Sequence, residues 1–229
     1  MAASCAYILA DGKKIHERAH RVGSRAEIVN PVKVEIVQAG NPVLRQRGRP
    51  LSVAEIRSRE IQKLIESMRT RMHEAPGVGL AAPQLGLALQ LAVIEDREEY
   101  HKEVSAALLQ ERERGPVPFH AIINPAIEII GEERAEFFEG CLSLTGFSAM
   151  VARARAVRVT CLNERGQHKV IEASGWYARI LQHEVDHLNG TLYIDRMRTR
   201  SFTSMENLAE FWKGKPVNEI KSELELNSI

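Results

Sequence analysis

The sequence predicts an α+β fold in which mainly antiparallel sheets pack around a central helix that carries His183-Glu184-Val185-Asp186-His187. Several short β-like segments occur without the regular alternation of strands and helices that parallel sheets need. Residues 53–74 repeat apolar residues at steps of three and four, as a helix with one buried face requires. Near residues 175–188, Trp176, Ile180, His183 and His187 recur at steps of four, three and four, which also indicates a helix. A length of 229 residues suits one core with extensions.

The first predicted helix spans residues 53 to 74. Ser52 and Glu55 form a capping-box pattern at its start, and Pro76 with Gly77 prevents its continuation. Its apolar stripe consists of Ile61, Leu64, Ile65, Met68 and Met72. The second helix ends at Asn189-Gly190, a common helix stop.

Alternating or β-rich composition predicts strands between and after these helices. The segment Asn163-Glu164-Arg165-Gly166 divides the last of them as a hairpin turn. The charge-dense residues 95–115 are expected to form a solvated insertion with a helical turn around residues 104–109, and no chemistry is assigned to them. The predicted strands are 32–36, 89–94, 120–130, 134–138 and 156–172.

Three regions are expected along the chain. Residues 1–31 show no strong periodicity and are interpreted as an N-terminal extension. The catalytic domain is predicted over residues 32–200. Residues 201–229 are polar and turn-rich, and are interpreted as a C-terminal tail with a short helix near residues 216–225.

Composition excludes several classes of protein. Thirty-one basic and thirty acidic residues give a net charge of +1, and no basic stripe indicates direct nucleic-acid binding. No apolar run approaches the roughly 20 residues of a membrane span. The three cysteines are too few and too scattered for a disulfide framework, which favours a reducing compartment. Bacterial cytoplasm is the expected location, with a mitochondrion or plastid as the alternative.

The segment His183 to His187 has the form HExxH on a predicted helix. Its two imidazoles lie one turn apart on one face and can bind the same metal ion. Glu184 lies beside that ion as a general acid and base. The alternative is a surface or core histidine pair without metal.

A catalytic site of this kind needs a third protein ligand and an open position. Cys141 is the candidate, because a strand-like run meets Gly140 there and a glycine lets backbone and metal approach closely. The alternative for Cys141 is a small buried apolar residue. Cys161 fits that alternative, since it lies in an alternating strand. A Cys/His/His set suits zinc, iron(II), cobalt or nickel.

The segment Gly77-Val78-Gly79-Leu80-Ala81-Ala82-Pro83-Gln84 is glycine-rich and unusually apolar for a loop. It lacks the lysine and hydroxyl residues of a phosphate-binding loop. Its backbone can pair with an extended peptide, and Gln84 can donate to a developing oxyanion. A tight connection packed under the sheet is an equally good interpretation.

The three segments GVGLAAPQ (77–84), EGCLS (139–143) and HEVDH (183–187) together resemble the signature motifs of peptide deformylase. That family removes the formyl group from the N-terminal formyl-methionine of new polypeptides and releases formate. The resemblance extends from about residue 32 to 200. SGWYARILQHE (174–184) and the charged insertion are similar to the subtype of plant and animal organelles and some bacteria.

The resemblance implies roles for individual residues. Cys141, His183 and His187 bind the metal, which is expected to be iron(II), and Glu184 is the catalytic acid and base. The oxyanion donors are then Gln84 and the backbone N–H of Leu142. The substrate-binding residues are Val78, Gly79, Gly140, Tyr177 and Ile180, with Gly79 and Gly140 on peptide-binding edges and the others around an apolar pocket for methionine.

One departure from the subtype follows Gly146-Phe147, where Ser148 stands in place of the usual arginine. The expected partners are N-formyl-methionyl peptides of nascent chains near the ribosome, and the chain is expected to be a monomer or homodimer without membrane contact.

Two other functions are alternatives to this interpretation. A HExxH metalloprotease needs a Glu or His ligand downstream, where residues 188–200 offer only Asp195. A metal-stabilised binding module needs a site closed by four protein ligands.

Overall fold

The structure is a computed structural model that describes residues 35–75, 77–102 and 104–226. Its strands form one antiparallel sheet in the order β1-β2-β3-β4-β5, and β6 pairs with β4. The predicted α+β class is confirmed. The strands are β1 (Gly79–Ala81), β2 (Leu91–Asp96), β3 (Val117–Cys141), β4 (Leu144–Leu162), β5 (His168–Ser174) and β6 (Thr203–Ser204).

Helices precede, interrupt and follow this sheet. They are α1 (Val53–Ile56), α2 (Arg59–Glu74), α3 (Ala106–Glu111), α4 (Gly175–Leu188), α5 (Met205–Asn207), which continues as a π-helical turn (Leu208–Trp212), and α6 (Val217–Glu223). Short 3-10 turns occupy Pro42–Arg45, Ala82–Leu85, Glu98–His101, Tyr193–Asp195 and Thr199–Ser201. Among the helices of the described ranges, none has both the length and the apolar character to traverse a bilayer.

The predicted helix over residues 53–74 is divided in two. The capping box of Ser52 and Glu55 is present at the start of α1. A second serine, Ser58, then accepts a hydrogen bond from the backbone N–H of Ile61 and starts α2. Because a serine side chain satisfies a free N–H best at a helix start, Ser58 favours a break there. The predicted apolar stripe of α2 is fully buried.

Most predicted strands are confirmed, with one difference in continuity. The segments 120–130 and 134–138 belong to a single long strand, β3, which is irregular between Ile130 and Arg134. The predicted hairpin turn joins β4 and β5, and Gly166 N–H donates to the Asn163 carbonyl oxygen at 2.9 Å. Of the predicted strand 32–36, residues 32–34 lie outside the described residues and residues 35–36 are not in a strand.

The charge-dense segment 95–115 is less solvated than its composition predicts. It contains α3 near the expected helical turn, but four of its polar residues are buried: Asp96, His101, Arg112 and Arg114. Arg114 donates from Nε and Nη2 to the two carboxylate oxygens of Asp96, at 2.7 and 2.8 Å. This pairing makes burial of the two charges tolerable, and net composition could not reveal it.

Helix α4 occupies the centre of the fold. It contacts each of the strands β1 to β5. On β2, Ala92 and Ile94 belong to the apolar core beneath α4, whereas Leu91 and Val93 belong to the core beneath α2. The alternation of side chains along a strand thus buries both faces of β2. The motif on α4 is consequently held by core packing over most of the sheet.

The C-terminal residues pack on the outer side of the β3–β4 hairpin. Leu208 and Ile220 form an apolar cluster with Phe138 and Met150. The short helix predicted near residues 216–225 is observed as α6. The predicted N-terminal extension, residues 1–31, lies outside the described residues.

Candidate functional site

The two histidines of α4 face each other one turn apart. Their Nε2 atoms are separated by 3.2 Å, and the rings lie edge to face. Burial lowers the pKa of His187 well below its ordinary value, so this imidazole stays neutral and offers a lone pair. Burial lowers the pKa of His183 as well, but Cys141 and Glu139 outweigh burial and raise that pKa well above its ordinary value. His183 must therefore lose a proton before its Nε2 can bind a metal ion beside Nε2 of His187.

Cys141 brings a third donor to the same point. It is the last residue of β3, where the hairpin turns towards β4, and its Sγ lies 3.2 Å from His187 Nε2. The three donor atoms lie within 4.8 Å of one another. Tetrahedral zinc-like coordination places two nitrogens about 3.3 Å apart and a nitrogen and a sulfur about 3.6 Å apart. The nitrogen–nitrogen separation agrees with this geometry, and the sulfur lies a few tenths of an ångström nearer to His187 Nε2 than a shared ion would place it. The donor set of Cys141, His183 and His187 thus fits one metal ion after a small movement of the thiol.

Glu184 follows His183 directly on α4 and is not one of the three donor residues. Its Oε2 atom is buried and has no hydrogen-bond partner among the described residues. Burial raises the pKa of its carboxyl to about 7. A carboxyl group with that pKa can both take up and release a proton near neutral pH.

Gln84 reaches the site from the 3-10 turn that follows β1. Its Oε1 accepts a hydrogen bond from the backbone N–H of Ala81 at 2.9 Å. Its Nε2 lies 3.5 Å from Cys141 Sγ. Because the Ala81 contact fixes the amide oxygen, the amide N–H groups face Cys141. The backbone of Leu142 follows Cys141 directly and lies at the same turn of the hairpin.

A buried network of charged side chains contacts His183 at Nδ1, the ring nitrogen that does not face His187. Glu139 Oε2 lies 3.0 Å from His183 Nδ1, and Arg153 donates to both Glu139 carboxylate oxygens at 2.9 Å. Arg179 donates to Glu139 Oε1 at 2.6 Å. Burial alone would raise the pKa of Glu139, but Arg153, His183 and Arg179 outweigh it and hold that pKa well below its ordinary value. The Glu139 carboxylate thus fixes the imidazole so that its Nε2 points towards Nε2 of His187.

The same network anchors the rest of the motif helix. Arg153 also donates to Asp186, at 2.5 Å, and Asp186 accepts a second pair of hydrogen bonds from Arg196 at 2.7 and 2.8 Å. Ser148, at the position where the resemblance implies an arginine, is buried and donates to the Glu139 carbonyl oxygen at 2.8 Å. The positive charges that contact the Glu139 carboxylate are those of Arg153 and Arg179.

A cavity of about 40 Å³ opens beside Glu184. Four predicted substrate-binding residues line it: Val78, Gly79, Gly140 and Ile180. Its other lining residues are Arg114, Glu139, Trp176, Arg179, His183 and Glu184. The structure thus gathers residues from β1, β3, α4 and the charged insertion around one small space.

Tyr177, the fifth predicted substrate-binding residue, does not line this cavity in the described part of the chain, and its role stays a prediction. Its hydroxyl group lies 2.9 Å from His120 Nε2 on strand β3. Successive residues of a helix are turned by about 100°, so Trp176 and Ile180 share the face of His183 whereas Tyr177 does not. The helical spacing of Trp176, Ile180, His183 and His187 could have identified Trp176 instead.

Several residues of the site were not singled out in the sequence. Glu139 and Cys141 are two apart on β3 and share one face, which could have indicated that Glu139 supports the ligands. Arg153, Arg179 and Arg114 gave no such signal, because their roles depend on contacts between distant segments.

Comparison with known proteins agrees with this geometry. The model of the polypeptide deformylase family matches residues 33–202. Peptide deformylase 3 of Streptomyces avermitilis is 48% identical over 177 residues, 77% of each chain. The chloroplastic peptide deformylase 1A of Solanum lycopersicum is 48% identical over 174 residues, 76% of this chain and 63% of that protein.

Solved structures agree as well. The class I type b peptide deformylase of Acinetobacter baumannii, determined with Met-Ala-Ser bound, superposes with a TM-score of 0.64 at 29% identity. That match covers 72% of this chain and 99% of the solved chain. The chain therefore belongs to the polypeptide deformylase family.

Proposed function

We propose that Cys141, His183 and His187 hold one divalent metal ion, and that Glu184 moves the proton in hydrolysis of the formyl group from N-terminal formyl-methionine. Membership of the family assigns the reaction, in which a metal-dependent amide hydrolase releases formate from new polypeptides. The observation that carries the residue assignment is the convergence of three metal donors beside a buried, unpartnered carboxylate oxygen of Glu184.

Glu184 acts first as a base and then as an acid. A divalent metal, when bound, polarises the formyl carbonyl and activates the attacking water. The Glu184 carboxylate accepts the proton that this water loses. It then delivers the proton to the departing amine, so that formate and a free N-terminus are produced. The pKa of about 7 suits both transfers.

Gln84 and Leu142 stabilise the oxyanion. The Gln84 amide is already oriented by Ala81, so its N–H groups need no reorganisation when negative charge develops. The backbone N–H of Leu142 is the second donor. Each such donor contributes roughly 3 kcal/mol to transition-state binding in comparable hydrolases.

The peptide binds along β1. Within the described ranges, β1 pairs only with β2, so its other edge is available for an extended chain. Gly79 and Gly140 flank the path of the peptide backbone. The methionine side chain enters the cavity between Val78 and Ile180.

Iron(II) is the proposed metal, with zinc, nickel and cobalt as substitutes. One thiolate and two imidazoles suit all four ions. The substrates are formylated nascent chains, met close to the ribosome by a monomer or homodimer. Similarity to bacterial and chloroplastic relatives supports a compartment in which translation starts with formyl-methionine, and bacterial cytoplasm is our first choice.

Formate release from a formyl-Met tripeptide tests the proposal. Anaerobically prepared, iron-loaded protein should release formate rapidly. Glu184→Ala should retain one metal per chain but release none, while Glu128→Ala, on an exposed part of β3, should behave as the wild type. A folded, metal-replete wild type that releases no formate would contradict the proposed function and favour a binding module.

A further inference from the structure

Gln38 contacts the hairpin turn that carries the proposed oxyanion donor Leu142. Its Nε2 donates to the Leu142 carbonyl oxygen at 3.0 Å, and its Oε1 accepts a hydrogen bond from the backbone N–H of Thr145 at 3.2 Å. A glutamine can make both contacts because one end of its amide donates and the other accepts. Although Gln38 is remote from the turn in sequence, its side chain therefore bridges the turn from one side to the other.

The turn is not of the kind that hairpins favour. Strand β3 ends at Cys141 and β4 begins at Leu144, with two residues between them. Two-residue turns that match the twist of paired strands have a positive φ at one or both central residues. Within the described ranges, neither of the two central residues here, Leu142 and Ser143, has a positive φ. Contacts from outside the hairpin are consequently needed to hold this turn.

The start of β4 is also separated from β3. Gly140 and Cys141 are consecutive on β3, but their partners on β4, Ser148 and Leu144, are four residues apart. The three residues between these partners, beginning with Thr145, have no partner on β3 within the described sheet. The backbone N–H of Thr145 is therefore available to the glutamine side chain.

The backbone on either side of Gln38 extends this support to the second oxyanion donor. Ala39 N–H donates to the Ser143 carbonyl oxygen at 2.6 Å, and Val37 N–H donates to the Gln84 carbonyl oxygen at 2.9 Å. Residues 37–39 thus contact both segments that carry the proposed donors. Their contacts determine where the Leu142 turn lies relative to Gln84.

We propose that Gln38 is a positioning residue for the oxyanion: its amide holds the turn so that the Leu142 N–H stays aimed, together with the Gln84 amide, at the developing negative charge. The inference rests on the proposed function, since it takes Leu142 and Gln84 as the oxyanion donors. Gln38 acts through Leu142 and does not itself contact the reacting atoms. Preorganised donors stabilise a transition state only while their geometry is kept. Because the oxyanion forms only in the transition state, loss of this support should lower kcat and leave KM unchanged.

Gln38→Ala and Gln38→Met test the inference, since methionine keeps the length of the side chain without either polar end. With iron-loaded protein and formyl-Met-Ala-Ser, kcat should fall about tenfold in both variants, because two hydrogen bonds to the turn are lost. This loss is smaller than the roughly hundred- to thousandfold that removal of an oxyanion donor causes. KM should stay within about twofold of the wild type, as should the dissociation constant of the product Met-Ala-Ser, which has no formyl group. Because Gln38 is exposed, both variants should fold, which thermal unfolding measures.

Asn41→Ala is the matched control. Asn41 is an exposed amide three residues further along, and its side chain accepts a hydrogen bond from the nearby Val43 N–H at 3.1 Å. Its kcat should equal that of the wild type. Wild-type kcat in both Gln38 variants, an equal loss in Asn41→Ala, or a raised KM with unchanged kcat would each overturn the inference while the active wild type leaves the proposed function intact. A folded, metal-replete wild type that releases no formate would instead remove the proposed function.

Discussion

Gly79 on β1 lies against the side chain of Glu184 so closely that the two positions share one space. A Cβ at Gly79 would fall 2.6 Å from Cδ of Glu184 and 2.9 Å from its Cγ. Real side chains do not approach this closely, so either the strand or the carboxyl group would have to move. A glycine at this position therefore allows the peptide-binding edge and the proton-transfer group to meet.

Gly79→Ala is expected to lower kcat/KM by about a hundredfold or more, because a displacement of about 1 Å at a reacting group has that effect. Metal content should be unchanged, since the three atoms nearest to the new methyl group all belong to Glu184, which is not in the proposed ligand set. Formate release and metal analysis on the same sample measure both. Gly115→Ala is the control, as a Cβ there has no atom within 4 Å. Full activity in Gly79→Ala would show that Glu184 tolerates the shift.

Glu139→Gln should weaken metal binding and destabilise the protein. The substitution removes the carboxylate that orients His183 and leaves Arg153 and Arg179 without their shared partner. We expect a loss of about 3 to 5 kcal/mol of stability, as for other broken buried ion pairs, and about 10- to 100-fold weaker metal affinity. Denaturant titration and competition with a chelator measure the two effects.

Glu128→Gln provides the matched comparison on the same strand. The Glu128 carboxylate is exposed and lies 3.8 Å from Arg158. A surface pair of this kind contributes about 0 to 1 kcal/mol. Equal losses in Glu139→Gln and Glu128→Gln would contradict the supporting role of Glu139.

Cys141→Ala should abolish stoichiometric metal binding, because two histidines alone leave the site one protein ligand short. Cys161→Ala should retain one metal per chain, since Cys161 lies in the apolar core beneath α4. Its cost is expected in stability alone, about 1 kcal/mol for a small buried group. Metal analysis and thermal unfolding of both variants separate the two cysteines. Metal retained by Cys141→Ala would remove Cys141 from the ligand set.

Attachment of the C-terminal helix should depend on pH through Glu136. Burial tends to raise the pKa of this carboxyl, but hydrogen bonds from Lys221 and Arg198 outweigh burial and lower it below its ordinary value of 4.5. A lowered pKa in the folded state means that the carboxylate stabilises the fold above about pH 4.5 and loses this contribution as pH falls through the folded-state value.

Glu136→Gln should therefore be about 1 kcal/mol less stable than the wild type at pH 7. The difference should shrink below pH 4.5 and vanish at lower pH. Chemical unfolding of both proteins from pH 7 to pH 3 provides the measurement. A difference that stays constant across this range would exclude Glu136 as the titrating group.

The sequence could predict those features that depend on the spacing of residues close together in the chain, such as helix faces, helix ends and turns. The one-turn separation of His183 and His187 fixes their common face on any helix. The boundaries of α4 and the hairpin turn at residues 163–166 followed from periodicity and turn residues. The likeness of three motifs then identified the family.

Spacing could not predict contacts between distant segments. The Asp96 and Arg114 charges were expected in solvent, because nothing in their neighbourhood shows that they pair within the core. The contact of the Tyr177 hydroxyl group with His120 on β3 likewise joins segments that are far apart in the sequence. The apolar stripe predicted one continuous helix over residues 53–74, but the Ser58 side chain caps the start of α2 and thereby divides it.

The charged insertion, residues 95–115, lies directly against Gly175, the first residue of α4, where a Cβ would fall 2.8 Å from the carbonyl oxygen of Arg112. The surroundings of the site therefore come from two sources, the three motifs and this insertion. The three motifs determine the chemistry, whereas Arg114 comes from a segment that none of them includes. Substitutions in that segment can alter the shape and polarity of the cavity while every motif stays intact. Two homologues with identical motifs can thus differ in the inhibitors that they bind, and this segment is where a selective compound would distinguish them.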